Sequence, residues 1–255
     1  MNPHPYLTLV RLGRRRLRSY ADYLLFQRHQ ARMLSEYLEQ HGVSLRGRRV
    51  LDLGSGLGGY TIEWKALGGH VFALDLAASS PAVKADRIPF VQADAHSLPF
   101  ADNRFDVVFC ASLIEHVRRP DLLLSEVHRV LSLGGICYLS FPPFYSLRGG
   151  HEFSPFHYLG ERLALRLAQR DRDVPDWLRD HYNIRSSAQS FAETYDGWGL
   201  YRVTIQQTRR LVKQTGFNVR HFGTRFLPMN LAAVPIAGEV LAWHVQMILE
   251  TGAKT

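Results

Sequence analysis

The sequence predicts an α/β fold built on a mostly parallel sheet. Short apolar runs that suit buried strands alternate along the chain with segments of helical periodicity. A glycine-rich turn, LDLGSGLGG at residues 51–59, follows the first of these runs and precedes a helical segment. The 255 residues are 46% hydrophobic and 21% charged, which is typical of a globular chain and excludes disordered and fibrous classes. Strands that alternate with helices form βαβ units, and such units build a parallel sheet.

The individual elements follow from periodicity and from glycine or proline punctuation. The predicted strands are residues 49–53, 70–76, 88–93, 105–110, 136–141, 217–226 and a last one near 240–249. The predicted helices are residues 20–41, 61–67, 120–131 and 204–215, with a short helix or loop at 77–87. Between residues 143 and 200 the pattern is irregular and rich in aromatic side chains, and one helix is expected to begin at Ser154 and Pro155.

The net charge of +8 is concentrated near the N-terminus. Residues 1–49 hold ten arginines and three acids and so carry +7, while the rest of the chain is nearly neutral. Only four of the 31 basic residues are lysines, a bias that suits phosphate contacts and that a GC-rich genome would also produce. The total charge first suggests a polyanionic partner, but its restriction to one segment makes nucleic acid an unlikely partner for the body of the protein.

The glycine-rich turn predicts a site for a nucleoside-containing cofactor. Ligands of open α/β sheets bind at the carboxyl ends of the strands, and glycines let a ligand approach the backbone closely. Asp75 ends the second predicted strand, where a carboxylate can accept hydrogen bonds from a ribose diol. The spacing Gly54-x-Gly56-x-x-Gly59 also matches a dinucleotide fingerprint, so an NAD(P)-dependent reductase is the alternative. Against it, Asp52 is placed to hold a cationic amino group, and no second mononucleotide-binding half follows.

Four sequence stretches together resemble the class I S-adenosylmethionine-dependent methyltransferases of the small-molecule and lipid "methyltransferase type 11" kind. They are VLDLGSGLGGYT, FALDL, FVQADAHSLPFADNRFDVVFCASLIEHV and EVHRVLSLGGICYLSFP, and RRLVKQTGFNV near the C-terminus adds to them. The resemblance implies a Rossmann-like fold with a seven-stranded, mostly parallel sheet and helices on both faces. It implies S-adenosylmethionine as the cofactor and S-adenosylhomocysteine as the product. The cofactor-binding residues it implies are Asp52, Gly54, Ser55, Gly56, Asp75, Leu76, Asp94, Ala95 and Ser112.

On this basis the chain divides into four parts. Residues 1–47 are expected to form a basic helical extension, and residues 48–142 the S-adenosylmethionine-binding core. Residues 143–203 are expected to form an inserted cap over the substrate, and residues 204–255 to complete the core sheet.

Candidate catalytic residues follow the fourth strand and lie in the predicted cap. Glu115 and His116 form a pair that related quinone and small-molecule methyltransferases often carry. Some relatives hold a metal with a longer Glu-x-x-Glu-His pattern, but Ser112 stands at its first position here, so no metal is expected. A hydroxyl acceptor needs a general base, and His151 is favoured because the two glycines before it allow close approach to the cofactor. Glu152, His157 and His181 are further candidates in the same region, and a purely structural role remains open for every histidine.

The acceptor is expected to be a small molecule, a sugar or a glycolipid, with oxygen as the nucleophile. An Asn-Pro-Pro-Tyr motif, typical of amino-group methylation, is absent after strand four, where residues 112–115 read SLIE. A non-catalytic S-adenosylmethionine-binding module is a further alternative, and RNA methylation is less favoured. No apolar run suits a signal peptide or a membrane span, so we expect a cytoplasmic protein whose N-terminal arginine cluster allows peripheral contact with an anionic membrane. The oligomeric state is not predicted.

Overall fold

The computed structural model describes residues 4–168, 175–182, 188–194 and 198–252. One seven-stranded sheet runs through it in the order β3-β2-β1-β4-β5-β7-β6. Strand β7 is antiparallel to both of its neighbours, and the remaining pairs are parallel. The strands are β1 Arg49–Leu53, β2 His70–Asp75, β3 Phe90–Gln92, β4 Phe105–Ala111, β5 Leu131–Phe141, β6 Phe217–Thr224 and β7 Val245–Thr251. The predicted seven-stranded, mostly parallel sheet is thus confirmed.

Helices cover both faces of the sheet. They are α1 His4–Arg15, α2 Tyr20–Gln40, α3 Gly59–Ala66, α4 Pro81–Ala85, α5 Pro120–Val130, α6 Glu161–Ala168, α7 Asp176–Tyr182, α8 Ile205–Gln214 and α9 Gly238–Leu241. Helices α2 and α3 bury Leu34 and Trp64 in one apolar cluster, and α5 and α8 bury Leu124 and Val212 in the cluster on the other face. Among the described residues, none of the helices combines the length and apolar character that crossing a bilayer requires.

The strand order reverses between β1 and β4, which places a cleft at the carboxyl ends of these two strands. The chain adds β2 and β3 on one side of β1, and then returns to add β4 and β5 on the other. Because β7 is antiparallel, the chain after β5 and the chain between β6 and β7 both leave the sheet at this same edge. The cleft therefore receives residues from the glycine-rich turn, from the predicted cap and from the β6–β7 connection.

The predicted helix at Ser154 and Pro155 is wrong. A single 3-10 turn spans Phe156–Leu159, and α6 begins only at Glu161. Gly160 separates the two with a positive φ of 89°, a conformation that interrupts a right-handed helix. A further helix in this region, α7, was not predicted.

The largest differences from the predicted strands are the starts of β5 and β7, because apolar runs do not mark where a strand begins. Strand β5 starts at Leu131, and Gly134, at a φ of 69°, lies inside it near a register shift. The last strand begins at Val245 rather than near residue 240, where the chain instead forms α9. Glu239 of α9 accepts hydrogen bonds from the backbone N–H groups of Ile205 and Gln206, and so caps α8.

Some of the positive charges near the N-terminus are paired with acidic side chains of the core. The buried carboxylate of Glu63 on α3 accepts hydrogen bonds from Nε of Arg28 at 2.8 Å and from Nε of Arg32 at 2.5 Å, both on α2. Arg49 likewise pairs with Asp106 at 2.6 Å. Arg28 and Arg32 therefore help to hold α2 to the body of the protein, and Arg49 is paired within the sheet.

Candidate active site

The glycine-rich turn is fixed in shape by its backbone. Gly54, Gly56 and Gly58 have φ values of 79°, 49° and 86°, which side chains with a Cβ rarely adopt. The N–H groups of Gly54 and Ser55 donate hydrogen bonds to the carbonyl oxygen of Leu74 at 2.8 and 3.0 Å. The end of β2 thus anchors the turn, and the turn leads directly into α3.

Asp75 connects this turn to the end of β2. Its Oδ2 atom accepts a hydrogen bond from the N–H of Gly56 at 2.7 Å, and its Oδ1 atom accepts one from the N–H of Ala77 at 2.9 Å. Burial raises the pKa of the Asp75 carboxyl, and these donors oppose the rise. The predicted ribose-binding acid therefore lies directly beside the turn.

Asp52 lies under the turn, on β1, and is almost fully buried. The hydroxyl of Thr61 donates a hydrogen bond to its Oδ2 atom at 2.5 Å. Burial raises the pKa of Asp52 to about 7. A buried carboxylate with one donor favours a cationic neighbour, because a positive charge would stabilise its ionised form.

Two close approaches define a cradle on the turn. A Cβ on Gly54 would lie 3.1 Å from Cδ1 of Leu113, which follows β4. A Cβ on Gly56 would lie 2.9 Å from the hydroxyl oxygen of Tyr182, on α7. Leu113 and Tyr182 therefore lie against the glycines of the turn, beside Asp75. Glycine at these positions keeps clear the room that a Cβ would fill, and with the acids Asp52 and Asp75 alongside, the residues present fit a nucleoside-bearing, cationic cofactor.

The remaining predicted cofactor-binding residues differ in their surroundings. Leu76, 40% exposed, follows Asp75. Asp94 is exposed, and its Oδ1 atom accepts a hydrogen bond from the N–H of His96 at 2.9 Å, so it also caps a turn. Ala95 packs against the main apolar cluster. Ser112 has a positive φ of 53°, and its N–H donates to the carbonyl oxygen of Ser140 at 2.7 Å.

Glu115, His116 and His151 come together on the other side of the cleft. Nε2 of His151 lies 3.5 Å from Oε1 of Glu115, an ion-pair distance, and the rings of the two histidines are 4.7 Å apart. Glu115 is 1% exposed, and neither of its carboxylate oxygens accepts a hydrogen bond from the described residues. His151 has a positive φ of 49°, a strained conformation for a residue other than glycine.

The neutral form of His116 is strongly favoured. Its Nδ1 atom lies 2.8 Å from the carbonyl oxygen of Gly199, and because a carbonyl only accepts, Nδ1 carries the proton. Burial, followed by the proximity of His151, lowers the pKa of His116 to about 3. Its ring also makes an edge contact with Trp198 at 4.7 Å. His116 is therefore an uncharged side chain, held in place by its hydrogen bond, that packs beside His151.

Arg225, just after β6, supplies a buried positive charge near Glu115. It is 3% exposed, and its Nη2 atom donates a hydrogen bond to the hydroxyl of Tyr60 at 2.6 Å. Its guanidinium also lies over the ring of Phe226, at 4.7 Å from the centroid. Burial acts to lower the pKa of Arg225, but the neighbouring Tyr60 and Tyr138, and to a smaller extent Glu115, raise it, so the guanidinium stays charged.

The cluster of Glu115, His116 and His151 also has the composition of a metal site. One ligand atom each from Glu115, His116 and His151 lies within 4.8 Å of the others, so these side chains could bind a divalent cation.

Comparisons with known proteins show the family of this chain. A family model described as a methyltransferase domain matches residues 51–139. A protein of Mycobacterium avium, named as an uncharacterized methyltransferase, is 37% identical over 218 residues, covering 82% of this chain and 79% of its own. The chain belongs to the class I S-adenosylmethionine-dependent methyltransferases.

Solved methyltransferase structures share the fold at low sequence identity. An S-adenosylmethionine-dependent methyltransferase from Mesorhizobium loti has a TM-score of 0.56 and 22% identity, with 84% of this chain and 96% of that one covered. The 1,6-didemethyltoxoflavin-N1-methyltransferase of Burkholderia thailandensis, with its substrate and S-adenosylhomocysteine bound, has a TM-score of 0.54 and 18% identity, with 99% and 91% covered. The cofactor of the methyltransferase is S-adenosylmethionine, and the reductase alternative is wrong.

Some functional candidates in the methyltransferase could not be located from sequence. Tyr182 and Arg225 were missed, because neither belongs to a motif and both reach the cleft from distant segments. Of the other predicted histidines, His157 is buried against Gly150 and Phe144, and His181 lies near Asp75 on the cofactor side. The side chain of Glu152 lies outside the described residues.

Proposed function

We propose that this methyltransferase methylates an oxygen atom of a small amphiphilic acceptor, such as a sugar, a quinone precursor or a glycolipid, and that His151 is the general base. The observation that carries this proposal is the 3.5 Å approach of His151 to the buried Glu115. A base oriented by a buried carboxylate is the arrangement that proton abstraction from a hydroxyl needs.

Each residue of the cleft has a part in this proposal. S-adenosylmethionine supplies the electrophilic methyl group when it is bound. Asp52 would hold its amino group, Asp75 its ribose hydroxyls, and the glycine turn would fix its orientation. Leu76, Asp94, Ala95 and Ser112 would line its adenine and methyl-donating sides.

The proton would leave through His151. Nε2–H of His151 would donate to Glu115, and Nδ1 would receive the proton of the acceptor hydroxyl. The carboxylate of Glu115 would then stabilise the imidazolium of His151. Because the neighbouring ring of His116 stays neutral, it would add no second positive charge beside that imidazolium. Holding nucleophile and methyl group in line is worth about 7–11 kcal/mol in well-oriented systems.

Exposed arginines at the N-terminus support contact with an anionic membrane, as part of the same proposal. Arg11, Arg14 and Arg18 are exposed on or just after α1. Cations of this kind are attracted to anionic headgroups within about a Debye length. Such contact would bring a lipid-linked acceptor close to the enzyme, which we expect to act on the cytoplasmic side.

The deciding experiment supplies S-adenosylmethionine with an isotope-labelled methyl group to the enzyme and a fractionated cell extract. We expect label in the lipid or small-molecule fraction, on an oxygen that mass spectrometry identifies. Label only in RNA or protein would contradict the proposed acceptor class. S-adenosylmethionine binding with no transfer to any fraction would favour a non-catalytic module.

A second candidate is methylation of a nitrogen, which the Burkholderia thailandensis relative in fold favours, since its name places its activity at N1. A product methylated on nitrogen, with activity retained in His151→Gln, would establish it. The metal-ion alternative is tested on the same assay by chelation. Activity that is lost with a chelator and restored by a divalent cation would contradict the role of His151 as base.

A further inference from the structure

The connection between β6 and β7 carries an unusual set of exposed apolar side chains. We call residues 227–241 the β6–β7 loop. The exposed members are Leu227, Met229, Val234, Ile236, Val240 and Leu241. Ile236 is 91% exposed, the highest exposure among the large hydrophobic side chains of the described residues. A soluble surface rarely groups this many apolar side chains within fifteen residues without a partner that covers them.

Hydrogen bonds fix the conformation of the loop and keep its apolar side chains exposed to solvent. Nδ2 of Asn230 donates to the carbonyl oxygen of Phe222 at 2.8 Å. The N–H of Ala232 donates to the hydroxyl of Thr224 at 2.9 Å, and the N–H of Gly238 to the carbonyl oxygen of Val234 at 2.8 Å. These bonds bind the loop to the end of β6 and close it on itself.

Cations lie beside these apolar side chains. A groove of about 770 Å³ runs between α8 and the loop, and Arg209, Arg210 and Lys213 of α8 line it together with Val234 and Ile236. Glu239 is the acidic residue in this lining, and it accepts hydrogen bonds from the N-terminal N–H groups of α8. An apolar surface bordered by three cations matches an amphiphile with an anionic head.

The loop lies at the edge of the sheet where the cleft opens. It begins after Arg225 and ends before Trp243, whose Nε1 donates to the carbonyl oxygen of Arg225 at 3.0 Å. The guanidinium of Arg148, from the predicted cap, lies over the ring of Trp243 at 5.4 Å. A surface that covered the loop would therefore lie close to the cleft.

We propose that the β6–β7 loop inserts its apolar side chains into an anionic phospholipid bilayer, with Arg209, Arg210 and Lys213 at the headgroup phosphates. This docking surface is separate from the N-terminal arginines. Those arginines lie on or just after α1, which packs against α2, and α2 and α8 cover opposite faces of the sheet. It does not depend on which atom of the acceptor is methylated.

Co-sedimentation with vesicles tests the proposal on the full chain. Vesicles of phosphatidylcholine alone are compared with vesicles that contain about 30% phosphatidylglycerol, a composition chosen to be strongly anionic. We expect binding to the anionic vesicles that is at least about tenfold tighter than to the neutral ones and that weakens with salt. The double variant Ile236→Asp with Val240→Asp should reduce binding about tenfold or more, because it places charges in the acyl region.

Two matched variants separate the contribution of this surface from a general effect of added negative charge. Leu133→Asp changes a leucine that is 70% exposed near the start of β5, at the opposite end of the strands, and should bind like the wild type. Arg209→Glu with Arg210→Glu should lose the preference for anionic vesicles. Each variant is first shown to keep wild-type thermal stability and S-adenosylmethionine affinity.

Three outcomes would overturn the proposal. They are failure of the wild type to bind anionic vesicles, wild-type binding by the Ile236→Asp and Val240→Asp variant, or loss of binding only when Arg11, Arg14 and Arg18 are replaced. A wild-type dimer in light scattering that the loop variant abolishes would show that a second copy covers the loop instead.

Discussion

The imidazole of His151 and the carboxylate of Glu115 lie 3.5 Å apart although 36 residues separate them in the chain. Glu115 is fixed in the 3-10 turn after β4, and its carbonyl oxygen accepts a hydrogen bond from the N–H of Tyr201. His151 reaches it from the predicted cap in a strained backbone conformation. Strain of this kind persists where the surrounding structure enforces it, and it occurs often at functional sites.

This pair should control turnover and leave cofactor binding unchanged. We expect His151→Gln to lower kcat by about 10²–10⁴-fold, the usual contribution of a positioned general base. Glu115→Gln should lower kcat less, and the double variant should be no worse than His151→Gln, because the two side chains act as a unit. Single-turnover kinetics and calorimetric titration with S-adenosylmethionine measure the two quantities. An equal loss of kcat in His157→Gln would move the role of base to that residue.

Asp52 should make cofactor affinity depend on pH near neutrality. Its pKa, about 7 in the ligand-free protein, leaves the carboxyl mostly protonated at pH 6 and mostly ionised at pH 8. Since the ionised form is the one that attracts a cationic amino group, affinity for S-adenosylmethionine should rise up to about tenfold from pH 6 to 8. Calorimetry at several pH values tests this. Asp52→Asn should remove the slope, and Asp102→Asn, an exposed acid outside the cleft, should keep it.

The same carboxyl should affect stability in the opposite direction. Because its folded pKa is raised, the contribution of Asp52 to stability is full below its unfolded pKa and is lost as pH rises through about 7. The ligand-free enzyme should therefore be stabilised more by Asp52→Asn at pH 8 than at pH 6. Thermal unfolding at the two pH values measures the difference. A larger gain at pH 6 would contradict the assignment.

Gly56 should be intolerant of a side chain for two separable reasons. Gly56→Ala meets an unfavourable positive φ, which costs about 1–2 kcal/mol, and its Cβ would press on the hydroxyl of Tyr182. We expect lower stability and at least about tenfold weaker S-adenosylmethionine binding, since about 1.4 kcal/mol at the site corresponds to tenfold. Gly47→Ala is the control, because Gly47 has a φ of 71° and nothing within 4 Å of the added Cβ. It should lose stability alone, and reduced affinity in Gly47→Ala would show that backbone strain, not contact with Tyr182, weakens binding.

Glu63 should stabilise the attachment of α2. Burial acts to raise its pKa, but the hydrogen bonds from Arg32 and Arg28 outweigh burial and hold the pKa below its usual value. Glu63→Gln should therefore lower the free energy of unfolding at pH 7 by about 1.5–3 kcal/mol, the range for hydrogen bonds to a charged group. Because the folded pKa is lowered, this difference should shrink as the pH falls through the folded pKa. Urea unfolding measures it, and Glu36→Gln, on the exposed face of α2, should change little.

Local patterns predicted the elements that are decided within a few residues. The apolar run before the glycine turn is β1, and the amphipathic run that begins at Pro120 is α5. Both were predictable because neighbouring residues determine which side chains are buried and where a helix begins. The prediction of a helix at residues 154–160 was wrong because it, too, relied on adjacent residues alone. A proline that suits the first turn of a helix did not reveal that Gly160 would delay α6.

The amino-acid sequence by itself determined the strand–helix alternation, the glycine turn and the acids that accompany it, and these were enough to indicate the family and its cofactor. The tertiary structure decided which distant groups share the cleft. Arg225 lies near Glu115, and Tyr182 lies against Gly56, only because the chain after β6 and helix α7 return to the cleft. The tertiary structure also decided which N-terminal arginines are available to a partner. Arg28 and Arg32 are not, because they pair with the buried carboxylate of Glu63 and stabilise its ionised form. Pairings of this kind depend on distances in space, which the order of residues along the chain does not contain.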